Sequence, residues 1–113
     1  MNDTHETQRC GITKSLEVIG GKWTMLIVRD LIDRPRRFSE LEDSLEGISP
    51  RTLAIRLKEL EVDGVLQRDC SAGPAHPMYR LTQRGQSLSA ILEQMRMWGE
   101  AVPQRSPEHP ADL

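Results

Sequence analysis

Apolar residues recur along the chain with helical spacing first, and with strand spacing near its middle. Ile12, Leu16 and Ile19 fall three and four residues apart, and Gly20-Gly21 closes that helix. Trp23, Leu26, Ile27 and Leu31 mark one face of a second helix, with Pro35 stopping it soon after. Arg36-Arg37-Phe38 reads as a short extended stretch. Ser39 followed by Glu42 predicts a capping box for a helix with Leu41 and Leu45 inward. Gly47-Ile48 makes a tight turn. Ser49 then caps a helix with Pro50 at its first position, running to about Asp63 before Gly64. Val65 to Asp69 alternates as a strand, a loop follows with Gly73, Pro74 and Pro77, and Met78 to Leu81 returns. Thr82 caps a last helix that extends to about Gly99.

Helix, helix, short extended stretch, helix, turn, helix, hairpin, helix is the order of a winged helix-turn-helix. The predicted class is mainly α with a small β-hairpin wing. At 113 residues the chain holds one domain. That domain is expected over residues 10–100. The polar segment 1–9 and the tail 101–113, with Pro103, Pro107 and Pro110, are expected to be flexible. No apolar run is long enough for a bilayer, and no secretory pattern opens the chain. Cys10 and Cys70 are too few for a disulfide scaffold, so a reduced, cytoplasmic setting is expected.

A net charge of -2 excludes a globally basic nucleic-acid binder, but the charge is sorted locally. Residues 49–58 hold Arg51, Arg56 and Lys58 without an acid, while Glu59, Glu61 and Asp63 follow at once. On a helical wheel Leu53, Leu57 and Leu60 form the core side. Arg51, Ile55 and Lys58 lie opposite, flanked by Thr52 and Ala54. Such a face suits a DNA major groove. Arg pairs with guanine edges, Ile55 can touch a thymine methyl, and Thr52 can bond a base or a phosphate. Ser49 and the first helical N–H groups can hold a phosphate. The same charges also suit a plain solvated face, although an exposed Ile55 gains little there. Arg56, at the seam's edge, reaches a phosphate or pairs with Glu59 or Glu40. His76 and Arg80 are candidates for a wing contact, and His76 alone also reads as an ordinary loop histidine. Arg34, Arg36 and Arg37 form a third basic cluster, close enough to Glu40, Glu42 and Asp43 to be neutralised by them.

In the last helix Leu88, Ile91, Leu92, Met95 and Trp98 make an apolar stripe longer than so small a core needs. With Ile12, Leu16 and Ile19 it is the expected seam of a homodimer, the alternative being an ordinary core helix. No enzyme is expected. Gly20-Gly21-Lys22 lacks the upstream glycine of a phosphate loop, and Trp23 stands where a hydroxyl is needed. Neither metal-ligand spacing nor a nucleophile set is present, so no metal and no cofactor are expected.

Several of these runs together resemble the HxlR family of bacterial transcriptional regulators. Leu16-Glu17-Val18-Ile19-Gly20-Gly21-Lys22-Trp23-Thr24 resembles the family's opening, as does Pro35-Arg36-Arg37-Phe38-Ser39-Glu40-Leu41. Gly47-Ile48-Ser49-Pro50-Arg51-Thr52-Leu53 and Arg56-Leu57-Lys58-Glu59-Leu60 resemble its helix-turn-helix. Asp63-Gly64-Val65-Leu66 and Tyr79-Arg80-Leu81-Thr82-Gln83-Arg84-Gly85 resemble its hairpin and last-helix entry. The resemblance covers about residues 10–99. It implies a winged helix, a homodimer of MarR-like plan and DNA-binding regulation, with Pro50 to Asp63 as recognition helix and Cys70 to Pro77 as wing. It also implies a cysteine before the first helix, where Cys10 stands, which in some members responds to electrophiles or oxidants. The chain departs from the family pattern at Gly11, often proline, at His76, often Arg or Lys, and at Met78, often Glu. A neutral His76 weakens the wing contact near neutral pH.

Cys10 sits at a predicted helix N-terminus, beside Arg9 and one turn from Lys14, an arrangement that favours the thiolate. It is therefore a redox candidate, the plainer reading being an unreactive cysteine in a dimer contact. Cys70 fits a structural role, and its pairing with Cys10 stays open. The expected partners are a pseudo-palindromic double-stranded DNA, a second copy of the chain, and a small-molecule or electrophilic effector, with no membrane. The alternative is a winged helix used for protein contacts alone, which would lack the steep salt dependence of phosphate binding.

Overall fold

The computed structural model of the chain describes residues 10–101 and residue 103. The expectations for residues 1–9, Arg9 among them, and for the tail beyond Ala101 other than Pro103 fall outside the described residues. The elements run α1 (Gly11–Ile19), α2 (Thr24–Leu31), β1 (Arg36–Arg37), α3 (Phe38–Ser44), α4 (Pro50–Val62), β2 (Leu66–Asp69), β3 (Met78–Leu81), α5 (Gln83–Gln86) and α6 (Ser89–Glu100). This is the winged helix-turn-helix order. None of these helices is long and apolar enough to cross a membrane.

The core is one cluster. Ile27, Val28 and Leu31 of α2 meet Leu41, Leu45, and the α4 seam of Leu53, Leu57 and Leu60. Val65, Leu66, Tyr79 and Leu81 close it from the sheet. Each large side chain so removed from water contributes about 1.5–3 kcal/mol. Trp23, Leu26, Leu88 and Leu92 pack partly buried around its rim.

The start of α4 follows from Ser49, whose Oγ accepts the Thr52 N–H at 3.0 Å, with Pro50 at the first position. Its end follows from Gly64, whose φ of +77° a side chain would resist. In the hairpin, Leu66 opposes Leu81 and Asp69 opposes Met78.

Three features differ from the sequence-based expectations. First, Arg37, not Ser39, precedes the first turn of α3, and Glu40, not Glu42, closes the capping interaction. The Glu40 carboxylate accepts the Arg37 N–H at 2.8 Å. Phe38 belongs to the helix, which lets it pack against the core. Second, the short extended stretch does not stand apart from the expected two-stranded wing but pairs with it. Arg36 opposes Tyr79 and Arg37 opposes Met78, so the sheet has three strands ordered β1-β3-β2. Third, the last helix is broken between Gln86 and Ser89. The Ser87 hydroxyl donates to the Arg84 carbonyl, and the Leu88 N–H bonds Gly85 O instead, so the regular ladder lapses for a turn.

The elbow depends on Gly85. It is buried, and a Cβ there would stand 2.1 Å from the carbonyl oxygen of Val65. That oxygen already accepts from the Thr82 backbone and hydroxyl, so it is not free to move away. Gly85→Ala should lower stability in urea unfolding by about 1–3 kcal/mol, the usual cost of overpacking. An unchanged midpoint would show that the α5 turn is not held by this contact.

Candidate nucleic-acid interface

Helix α4 presents two unlike faces. Leu53, Leu57 and Leu60 are buried, whereas Arg51, Ala54, Ile55 and Lys58 are exposed. Ile55 is 42% exposed, an apolar β-branched side chain set among cations. Among the described residues Arg51 has no ion-pair partner.

The remaining expected contacts are engaged to different degrees. Arg56 pairs with Glu59 at 2.8 Å, one of the two partners expected for it. Lys58 lies 3.8 Å from Glu61 and keeps most of its side chain in solvent. Ser49 Oγ, besides capping the helix, donates to Thr52 Oγ1 at 2.9 Å, so both hydroxyls are already engaged at the helix entrance.

The basic cluster before α3 is split by the fold. Arg36 turns inward: its Nε donates to the Asp30 carbonyl at 2.9 Å, and an Nη approaches Asp33 at 3.5 Å. Arg34 reaches Glu40 at 3.6 Å. Arg37 stays exposed on β1. The Arg37 N–H foremost, then Arg34 and Arg36, hold the Glu40 carboxyl below the usual range, so it stays ionised beside them.

On the wing the register decides the contacts. Arg37, Met78 and Asp69 form one row across the sheet, and strand alternation puts Arg80 on that same face. Arg80 donates from Nη2 to Asp69 Oδ2 at 3.1 Å. Asp69 Oδ1 accepts the Ser71 N–H at 2.9 Å. Bonds to Ser71 chiefly, with Arg80 added, hold the Asp69 carboxyl below its ordinary value. Pairs this exposed are weak and readily exchanged for a phosphate. Sequence reasoning missed Asp69, whose role appears only once the hairpin register is counted. It also missed Arg68, where a hydrogen bond to Tyr79 raises the guanidinium above its ordinary value. The other wing candidate, His76, is exposed in the loop, its backbone N–H bonded to Gly73 O.

Cys10 is an exposed free thiol preceding the first turn of α1, and Cys70 is free and half-buried. Cys10 Sγ lies 3.4 Å from Thr13 Oγ1. The Thr13 hydroxyl and backbone N–H, followed by that of Ile12, pull the thiol below its ordinary value. Hydrogen bonds of the first turn lead this shift, which agrees with the helix N-terminus read from sequence, while the cation Lys14 is not among its causes.

The seam residues divide. Leu88, Leu92 and Ile19 are half-buried. Ile12 at 73%, Leu16 at 60%, Ile91 at 43%, Met95 at 51% and Trp98 at 75% remain in water. Helix α1 buries no residue fully, and neither does α6.

With this geometry described, the likenesses to known proteins are specific. The model of the HxlR-like helix-turn-helix family matches residues 18–107. The HTH-type transcriptional regulator YybR of Bacillus subtilis is 38% identical over 93 residues, 81% of this chain and 74% of that protein. A solved MarR-family transcriptional regulator from Porphyromonas gingivalis W83 superposes with a TM-score of 0.78 at 28% identity, over 84% of this chain and 94% of its own. The redox regulator HypR in its reduced form superposes with a TM-score of 0.76 at 35% identity, over 81% and 92% of the two chains.

The thiol geometry makes a direct prediction. In Thr13→Val the midpoint of the Cys10 alkylation rate against pH should move upward, and the rate at neutral pH should fall. The single-cysteine background Cys70→Ser isolates the signal. An unmoved midpoint would mean that Thr13 does not set the thiol's acidity.

Proposed function

The chain belongs to the HxlR family of DNA-binding helix-turn-helix transcriptional regulators, not to an enzyme family, and we propose that it acts as a sequence-specific homodimer on a pseudo-palindromic operator. The observation that carries this reading is the outer face of α4, where an unpaired Arg51 stands with exposed Ile55 opposite a fully buried leucine seam. Arg51 reads a base edge, Ile55 meets a thymine methyl, and Lys58 and Arg37 contact phosphates. Thr52 and Ser49 shape the helix entrance. Arg56 and Arg80 join by exchanging Glu59 and Asp69 for phosphate, His76 lies along the backbone, and Arg36 supports Arg37 from within the fold.

The second copy is argued from uncovered apolar surface. Ile12 and Leu16 on α1 and Ile91, Met95 and Trp98 on α6, continuous with Ile19, Leu88 and Leu92, are more than scattered exposed residues. A two-fold pairing through these faces places two recognition helices about one DNA turn apart, or about 10 base pairs. The domain doing this work is residues 10–100, in the cytoplasm, where the DNA is. A cytoplasmic thiol is kept reduced, which suits a sensor. Cys10 is the redox- or electrophile-responsive group, supported by its exposure, its increased acidity and the likeness to HypR, itself a redox regulator. A purely protein-binding winged helix would not need the cationic outer face of α4.

Arg51→Ala should cost about 1–3 kcal/mol on the operator and much less on unrelated DNA, as read by anisotropy of labelled duplexes. Equal losses on both would remove its base-reading role. Affinity should also fall steeply between low and physiological salt. Met95→Lys or Trp98→Lys should halve the mass measured by sedimentation while leaving the fold intact. An unchanged sedimentation coefficient would rule out the α1–α6 seam.

A further inference from the structure

We propose that the cavity between α1 and the α5–α6 elbow is a binding site for a small organic anion, a carboxylate on a compact aliphatic body. The cavity holds about 200 Å³. This is below the ~300–1,000 Å³ of sites for drug-sized ligands, so the occupant is small. Its polar lining is cationic. Lys14 from α1 and Arg84 from α5 both face it, and among the described residues no acid lines it. Neither cation forms an ion pair with another described residue, unlike Arg29, Arg34, Arg56, Arg80 and Arg96. Two unpaired cations converging on one concavity attract an anion. The fork of Arg84 suits a carboxylate's two oxygens, and Lys14 supplies a second charge.

The rest of the lining sets the body of the ligand. Val18, Ile19, Val65 and Leu88 make an aliphatic wall, and among the described residues no aromatic side chain lines the cavity. The Ser87 hydroxyl, also in the lining, already donates to the Arg84 carbonyl and helps fix the elbow. The stem of Arg84 lies over Gly64, where a Cβ would come within 3.8 Å of its Cδ. The guanidinium is thus mounted on the base of the wing. Lys14, by contrast, rides on a helix that buries no residue fully. An anion held between them would tie α1 to the elbow by a contact the protein alone does not make. This site uses neither the α4 face nor Cys10, although Ile19 and Leu88 of its lining also belong to the proposed dimer seam.

The test is calorimetric titration of the full chain with cyclohexanecarboxylate at constant ionic strength. Saturable binding of one molecule per chain is expected. Lys14→Gln and Arg84→Gln should each weaken it by about tenfold, the loss of one charge-assisted hydrogen bond. Cyclohexylmethanol, with the same body and no charge, should also bind at least about tenfold more weakly. Acetate, which lacks the body, should be weaker for want of buried apolar surface. The alcohol and acetate are titrated into the unaltered protein, so those comparisons hold whatever the variants do to folding. No saturable binding of the carboxylate, equal affinity for the alcohol, or unchanged affinity in both glutamine variants would each overturn the site.

Discussion

Burial of Leu53, Leu57 and Leu60 in one cluster with Ile27, Leu31, Leu41 and the sheet residues Leu66, Tyr79 and Leu81 locks the rotation of α4 about its axis. Everything the protein offers to DNA depends on that lock. A helix turned by one residue, about 100°, would carry Arg51 and Ile55 away from the outer face. The cap at Ser49 and the left-handed Gly64 fix the same helix at its ends. The pairing of β2 with β3 beneath it completes a rigid frame from which flexible side chains reach out. The reading surface is thus the complement of the core: three positions buried, and the rest of the turn left to solvent.

On that frame the protein spends few free charges. Arg56, Lys58, Arg80 and Arg34 each face a carboxylate, and Arg36 is drawn inward by the Asp30 carbonyl. Each pair is exposed enough to be weak, so a phosphate can displace the acid at small cost. Displacement also returns the carboxylate to water near a polyanion, which lowers the net gain. In the proposed reading, affinity built this way is modest for any DNA and rises where Arg51 and Ile55 find matching base edges. A net charge of -2 agrees with that balance, since bulk attraction to DNA is absent and local contacts must provide the preference.

The two terminal helices solve a different problem. A chain of this length completes one core with α2 to β3, and only Leu88 and Leu92 of the α6 stripe reach it. Helix α1 and the outer half of α6 are left with apolar side chains in water. The elbow at Ser87-Leu88 separates α6 from the short α5 turn below it, because a hydroxyl takes a carbonyl that the helix ladder would have used. The proposed sensing groups lie in the same region. Cys10 opens α1, the proposed anion cavity lies behind it, and both adjoin the elements that carry the dimer surface.

Much of this was legible from local signals. The leucine seam of α4, the outward Arg51 and Ile55, the Ser49-Pro50 start and the Gly64 stop all depend on residues within one helix, where a period of 3.6 fixes the faces. The apolar excess of the last helix could be counted, and linked motifs from Leu16 to Gly85 pointed to the family. Other features could not be read so. Glu40 took the capping role from Glu42 because Phe38 had a core to join, which local sequence does not reveal. The break at Ser87 depends on Gly85 packed against the Val65 carbonyl, a contact across twenty positions of the chain. The pairing of Arg80 with Asp69, and the row of Arg37, Met78 and Asp69, exist only through strand register. The sequence alone thus determined the elements and the outer face of α4, since both follow from spacing along one helix. Only the tertiary structure decided which cations remain free and which apolar faces stay uncovered, because both depend on neighbours brought together from distant parts of the chain.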